Sequence, residues 1–151
     1  MPMYLEDFQV GDTEGFGRYV VSREEVIEFA AKYDPQPFHL SDEGADGTLF
    51  GHIAASGWHT AGMTMRMIVA RWGEKRVAAL AGAGVDNLRW LKPVYPGDVL
   101  RAEAEVLQIT ANRSRDDRGI INFRITTFNQ QDEPVLVQEP QVLIARRPVD
   151  G

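Results

Sequence analysis

The segment from residue 56 to about residue 72 predicts a helix that is apolar on nearly every side. Only Arg66 and Arg71 look suited to solvent. The apolar positions of its first half are Trp58, Ala61, Gly62, Met63, Met65, Met67, Ile68 and Val69. A helix that is apolar all round has to be buried. The rest of the chain is therefore expected to wrap around this helix.

Most of the remaining chain is predicted to form β-strands. Four segments, 84–91, 99–109, 119–129 and 134–145, are separated by turns rich in Pro, Gly and Asp. Consecutive strands joined by short turns indicate an antiparallel sheet. In the segment 99–109, apolar residues alternate with Arg101, Glu103 and Glu105, so one face is apolar and the other faces water. Alanines at 102 and 104 leave room for a helix on the apolar face.

The first part of the chain predicts one strand and one shorter helix. Residues 16–21 form a short aromatic and β-branched run that is typical of a strand. Ser22 and Glu25 match a capping box, which predicts that a helix starts there. Asp34-Pro35 ends that helix, because the residue before proline disfavours the α conformation.

Composition limits the classes of function. The 151 residues predict a single domain, residues 1–151, and the net charge of -6 argues against a nucleic-acid or anionic-membrane partner. The absence of cysteine excludes disulfides and thiolate chemistry. No secretory signal and no run of about 18 apolar residues are present, so a cytoplasmic location is expected.

An irregular segment after the first helix holds the candidate catalytic residues, Asp34 and His39. Pro35 and Pro37 keep this connector out of a helix, and Gln36 lies between them. By itself, an Asp before Pro is usually a helix-end or turn residue, and a single His is usually structural. Because the two residues are five positions apart, spacing alone does not bring their side chains together.

Four motifs occur in the order found in one family. They are YLEDF at 4–8 with VGD at 10–12, Asp34 to His39, Phe50 with IAASGWHT at 53–60, and LKPVYPGD at 91–98. With these motifs and the predicted elements, the chain resembles the MaoC-like dehydratases. The resemblance implies an α+β hotdog fold, in which an antiparallel β-sheet wraps around a long central α-helix.

The resemblance also implies a reaction, the reversible hydration of a trans-2-enoyl thioester to the (R)-3-hydroxyacyl form. Asp34 and His39 would then hold the water that is added or removed. The backbone N–H of Gly57 would donate to the thioester carbonyl, as an unpaired donor at a helix start can do. We take Ser56 and Gly57 as the candidate substrate-binding residues.

Other residues have simpler interpretations. Ser56 would be a nucleophile only beside a base, and a helix N-cap is the favoured role. His52 and His59 fit no compact metal motif, so no metal is expected, and His59 is predicted to be a packed or hydrogen-bonded helix residue. The methionines at 63, 65 and 67 are predicted to lie in the core. Arg113, Arg115 and Arg118 suggest a solvated turn, with contacts to coenzyme A phosphates as the alternative.

Three functions remain open at this point. The leading one is a hydratase/dehydratase with no cofactor, whose coenzyme A or acyl carrier protein is part of the substrate. A thioesterase is the second, because other hotdog proteins use a lone carboxylate on such substrates, and a non-catalytic acyl-thioester-binding protein is the third. A homodimer or higher homo-oligomer is expected, because a hotdog of this size leaves a sheet edge and one side of its site open.

Overall fold

The computed structural model describes residues 1–111 and 114–149. The helices are α1 (Arg23–Tyr33), α2 (Asp42–Ala45) and α3 (Gly57–Lys75), and the strands are β1 (Thr13–Val20), β2 (Ala79–Trp90), β3 (Val99–Ala111), β4 (Arg118–Phe128) and β5 (Pro134–Ala145). Two short 3₁₀ turns span Leu5–Asp7 and Pro37–His39. None of the described helices is long and apolar enough to cross a membrane.

The five strands form one antiparallel sheet in the order β1-β3-β4-β5-β2. Together with the long helix α3, this confirms the predicted fold class. Strand β2 begins at Ala79, earlier than the predicted residue 84. Its first residues, Ala79 to Gly84, are mostly Ala and Gly, which have low strand propensity, so the pattern alone did not reveal them.

Helix α3 packs its core-facing side against the sheet. Met63 and Met67 are buried, as predicted, together with residues of β3, β4 and β5. The expectation that the whole helix is buried was wrong. Trp58, Met65 and Val69 are 61%, 52% and 57% exposed, because the sheet of one chain covers only one side of the helix.

Helix α1 leads directly into the candidate site. The Ser22 hydroxyl caps its start by accepting a hydrogen bond from the Glu25 N–H at 3.1 Å. Val26 and Ala30 are completely buried on its inner side. The carboxylate of Glu25 does not return to Ser22, as a full capping box requires, but contacts β1 and α3 instead. The helix ends at Tyr33, and Asp34 is its C-cap.

Candidate active site

The Pro37–His39 turn brings Asp34 and His39 together. The two prolines prevent α1 from continuing, and the chain folds back so that the Gln36 N–H donates to the Asp34 carbonyl at 2.8 Å. The His39 Nε2 then lies 3.4 Å from Asp34 Oδ2. Both side chains are largely shielded, with exposed fractions of 6% for His39 and 19% for Asp34.

The orientation of the His39 ring is fixed by one backbone group. Its Nδ1 lies 2.7 Å from the carbonyl oxygen of Ala54, and an N–H must donate in this contact because a carbonyl only accepts. Nδ1 therefore carries a proton, and Nε2 is the atom that faces Asp34. This arrangement makes Nε2 available for proton transfer in the site.

Two neighbours hold the Asp34 carboxylate. The Ser56 hydroxyl donates to Oδ2 at 2.7 Å, and the Gln36 side-chain amide donates to Oδ1 at 2.6 Å. Burial raises the pKa of Asp34, but the hydrogen bonds from Ser56 and Gln36 and the nearby His39 lower it more, so that the net pKa is below the usual value. Asp34 is thus a carboxylate at neutral pH.

Ser56 occupies the N-cap position of α3 but does not cap the helix. Its side chain makes no capping hydrogen bond, because the hydroxyl is directed to Asp34. No described residue accepts a hydrogen bond from the N–H groups of Gly57, Trp58 or His59. The start of this 19-residue helix therefore keeps unpaired donors and the positive end of the helix dipole.

Gly57 is in close contact with Trp90. A Cβ on Gly57 would lie 2.5 Å from the Trp90 ring, and the indole Nε1–H donates to the Gly57 carbonyl at 2.8 Å. The glycine is required here for the approach of an aromatic ring.

These groups face a cavity of about 430 Å³. Asp34, His39 and Gly57 are among its polar lining residues, and Phe38, Phe50, Trp58 and Trp90 are among its apolar ones. A carboxylate, an imidazole and free backbone donors beside an apolar wall can bind a polar reacting group that is attached to an apolar chain.

The other predicted residues lie outside this arrangement. His59 is buried and hydrogen-bonded, as predicted, whereas His52 stacks on Tyr95 at 4.0 Å. Within residues 1–111 and 114–149, no three His, Asp or Glu side chains are placed to bind a metal. Arg115 and Arg118 both pair with Asp117, and Arg113 lies outside the described residues.

Two residues of the site were not predicted from the sequence. The Gln36 side-chain amide donates to Asp34. The sequence signal for this contact was a polar residue between two prolines, close to the candidate acid. Trp90 packs on Gly57. The sequence indicated this role only weakly, because a tryptophan at a strand end is more often a core residue. No local pattern connects positions 57 and 90.

Comparison with known proteins identifies the family. Residues 8–127 match the model of the MaoC like domain. The chain belongs to the MaoC-like family. A solved MaoC-like dehydratase from Rhodospirillum rubrum superposes on this MaoC-like chain with a TM-score of 0.86 and 42% identity, covering 97% of this chain and 99% of that one. The hotdog fold implied by the sequence motifs is thus confirmed.

Two curated relatives extend the comparison. The uncharacterized protein YdeM of Bacillus subtilis is 31% identical over 146 residues, which are 95% of this MaoC-like chain and 100% of YdeM. The 3-hydroxybutyryl-CoA dehydratase of Methylorubrum extorquens is 32% identical over 118 residues, which are 75% of this chain and 69% of that relative. The chain therefore belongs to a family whose relatives include a dehydratase that acts on a coenzyme A thioester.

Proposed function

We propose that this protein is a hydro-lyase that interconverts trans-2-enoyl thioesters and (R)-3-hydroxyacyl thioesters. The observation that carries the proposal is the pairing of Asp34 and His39, 3.4 Å apart, beside the uncapped start of α3 in one cavity. Hydration of an enoyl thioester needs a base, an acid and a donor for the thioester oxygen. Pure binding of an acyl chain would need none of these groups.

The proton transfers follow from the protonation and orientation of the two side chains. In the hydration direction, the Asp34 carboxylate takes a proton from water as the water oxygen bonds to C3. The proton on Asp34 then passes to the unprotonated Nε2 of His39, which delivers it to C2. One water is consumed and both side chains regain their starting states. Positioned proton transfer of this kind contributes about 10²–10⁴-fold.

The start of α3 would stabilise the intermediate charge. As C3 is attacked, negative charge develops on the thioester oxygen, and the Gly57 N–H is an unpaired donor in the lining of the same cavity. Loss of one such donor costs other enzymes about 10²–10³-fold in rate. The acyl chain would lie against the aromatic lining, and the coenzyme A or acyl carrier protein belongs to the substrate. No further cofactor is required.

We also propose that the protein works as a homodimer. Trp58, Met65 and Val69 form an exposed apolar strip on α3, and β2 is an edge strand. Trp58 and Trp90 are both exposed and both line the site cavity, so a second copy on this side would also close the cavity. Pairing two β2 strands would satisfy the backbone groups at that edge.

The test is to add crotonyl-CoA to the wild type and to Asp34→Asn and His39→Gln. Loss of enoyl absorbance reports hydration, and a free-thiol assay reports thioester cleavage. We expect absorbance loss without thiol release, and a decrease of about 10²-fold or more in each variant while it stays folded. His52→Gln is the matched control, because it removes an exposed imidazole outside the cavity and should keep the wild-type rate.

Two results would reject the proposal. Release of free thiol that depends on Asp34 would indicate a thioesterase. No change in either signal, with short, long and branched enoyl thioesters, would indicate a protein that binds acyl thioesters without turning them over.

A further inference from the structure

A second cluster of titratable side chains joins three elements outside the site cavity. Glu25 of α1 accepts a hydrogen bond from the Tyr19 hydroxyl of β1, and its Oε1 is 3.2 Å from Nε2 of His59 of α3. His59 is only 5% exposed. Burial and the bond to Glu25 raise the pKa of Tyr19 to about 12, and the bond from Tyr19 helps to lower the pKa of Glu25. Tyr19 is therefore neutral and Glu25 is ionised.

His59 binds α1 in two ways. Besides its bond to Glu25, its ring stacks on Phe29 of α1, with the ring centres 4.8 Å apart and the planes within 9°. Its Nδ1 is buried and has no hydrogen-bond partner in the described structure. A buried imidazole with only one of its two nitrogens hydrogen-bonded is uncommon where the side chain serves only to fill space. An apolar side chain would fill the same space without this cost.

The position of the cluster connects it to the site. His59 is the third residue of α3, so its own N–H is one of the unpaired donors at the helix start. Helix α1 continues from Glu25 to its C-cap Asp34, about 13 Å further along the axis. There the Asp34 carboxylate binds Ser56, the N-cap of α3. The two helices are thus linked at two points, one at the N-cap of α3 and one within its first turn.

We propose that Glu25 and His59 are positioning residues that hold the first turn of α3 against α1 and thereby keep the Asp34 carboxylate on Ser56. A helix linked at one point can pivot, whereas two separated links fix its orientation. The pocket beside the cluster is lined by Tyr33, the residue before Asp34, so rotation of α1 in this region moves the catalytic carboxylate. This inference rests on the proposed function, in which Asp34 is the base.

The first experiment is kinetic and uses His59→Phe and Glu25→Gln in the full chain with crotonyl-CoA. His59→Phe keeps a ring on Phe29 and removes the bond to Glu25, so the protein should fold. We expect kcat to fall about tenfold with little change in KM, because misplacement of a reacting group lowers the rate more than binding. Glu25→Gln should act in the same direction but more weakly, since its amide can still accept a hydrogen bond.

The second experiment measures the pKa of Asp34 by carboxyl-carbon NMR and does not depend on activity. The groups that face Asp34 in the described structure are His39, Ser56 and Gln36, of which only His39 can carry charge. If the Ser56 contact loosens, a bond that lowers this pKa is weakened, so the pKa of Asp34 should rise in His59→Phe. The acid limb of the kcat profile should move to higher pH with it.

Thr127→Val is the control for a purely structural effect. It removes the buried 2.6 Å hydrogen bond between Thr127 and Thr64, which holds the middle of α3 to the sheet. It should lower stability and leave both kcat and the pKa of Asp34 unchanged.

An unchanged Asp34 pKa in both His59→Phe and Glu25→Gln would overturn the inference, as would a kcat no lower than that of Thr127→Val. If the wild type has no hydratase activity, the proposed function fails and the NMR titration alone decides the positioning.

Discussion

At the scale of single residues, the Ser56 hydroxyl affects both the Asp34 carboxylate and the start of α3. Ser56 gives its O–H to Asp34 and leaves the start of α3 uncapped, so the same residue holds the carboxylate and keeps the helix donors free. A capping serine would have accepted a hydrogen bond from the N–H of Trp58 or His59 instead of donating to Asp34. Asn or Asp at this position would favour capping as well.

Ser56→Ala is expected to raise the pKa of Asp34. The Ser56 bond is one of the contacts that lower this pKa, so its loss moves the pKa upward and the acid limb of the kcat/KM profile to higher pH. We expect the neutral-pH rate to fall by about tenfold, as positioning of the base is lost. A pH–rate profile with crotonyl-CoA tests this, and an unmoved acid limb would show that Ser56 does not control Asp34.

Gly57→Ala is expected to displace Trp90. The new Cβ would lie 2.5 Å from the indole, so the ring must move and its bond to the Gly57 carbonyl must weaken. The free energy of unfolding should fall by about 1–3 kcal/mol, as for other overpacked sites, and KM should rise because Trp90 lines the cavity. Urea denaturation measures the first effect. In a double-mutant cycle with Trp90→Ala, additive losses would contradict the clash.

At the scale of elements, α1 depends on its cap. Ser22→Ala removes the bond to the Glu25 N–H and should lower the free energy of unfolding by about 1 kcal/mol. Ser22→Asp supplies another good N-cap and should recover most of that loss. Urea denaturation of the two variants is the measurement. Equal stability of Ser22→Ala and the wild type would mean that the cap contributes nothing here.

The elements also show what local patterns can and cannot predict. Strands β3 to β5 were found because their apolar residues face one buried side, whereas the Ala and Gly residues at the start of β2 carry no such pattern. In α3 the sequence reports only that side chains are apolar, so it could not separate Met63, which is buried, from Met65, which is exposed.

The candidate site was predictable in part. The motifs pointed to Asp34, His39, Ser56 and Gly57, but the meeting of Asp34 with His39 depends on a 3₁₀ turn that spacing does not specify. Local sequence patterns also could not predict whether the Ser56 side chain caps α3 or binds Asp34. Its partner lies 22 positions earlier in the chain, and only the tertiary fold brings the two together.

At the scale of the whole molecule, the apolar strip on α3 is left exposed to solvent by the described part of the chain. Val69→Lys places a charge in the strip with Trp58 and Met65, where the proposed dimer would bury it. We expect a shift from dimer to monomer, measured by sedimentation, and a lower rate because the cavity is left open. Ala70→Lys adds the same charge at an exposed neighbour that lines a different groove, so it is the matched control. Monomeric wild type would contradict the dimer.

The order of the strands in the sheet also has a consequence for how the chain folds. Strands β3, β4 and β5 pair as neighbours along the chain, while β1 and β2 each pair across long intervening segments. Local pairings close small loops and form early, so the three-stranded meander is expected to be the folding nucleus, with the two edges added last. In native-state hydrogen exchange, amides of β4 should then be the slowest to exchange and those of β2 among the fastest of the sheet. The edge that the proposed dimer would cover is thus the part of the sheet that a single chain completes last.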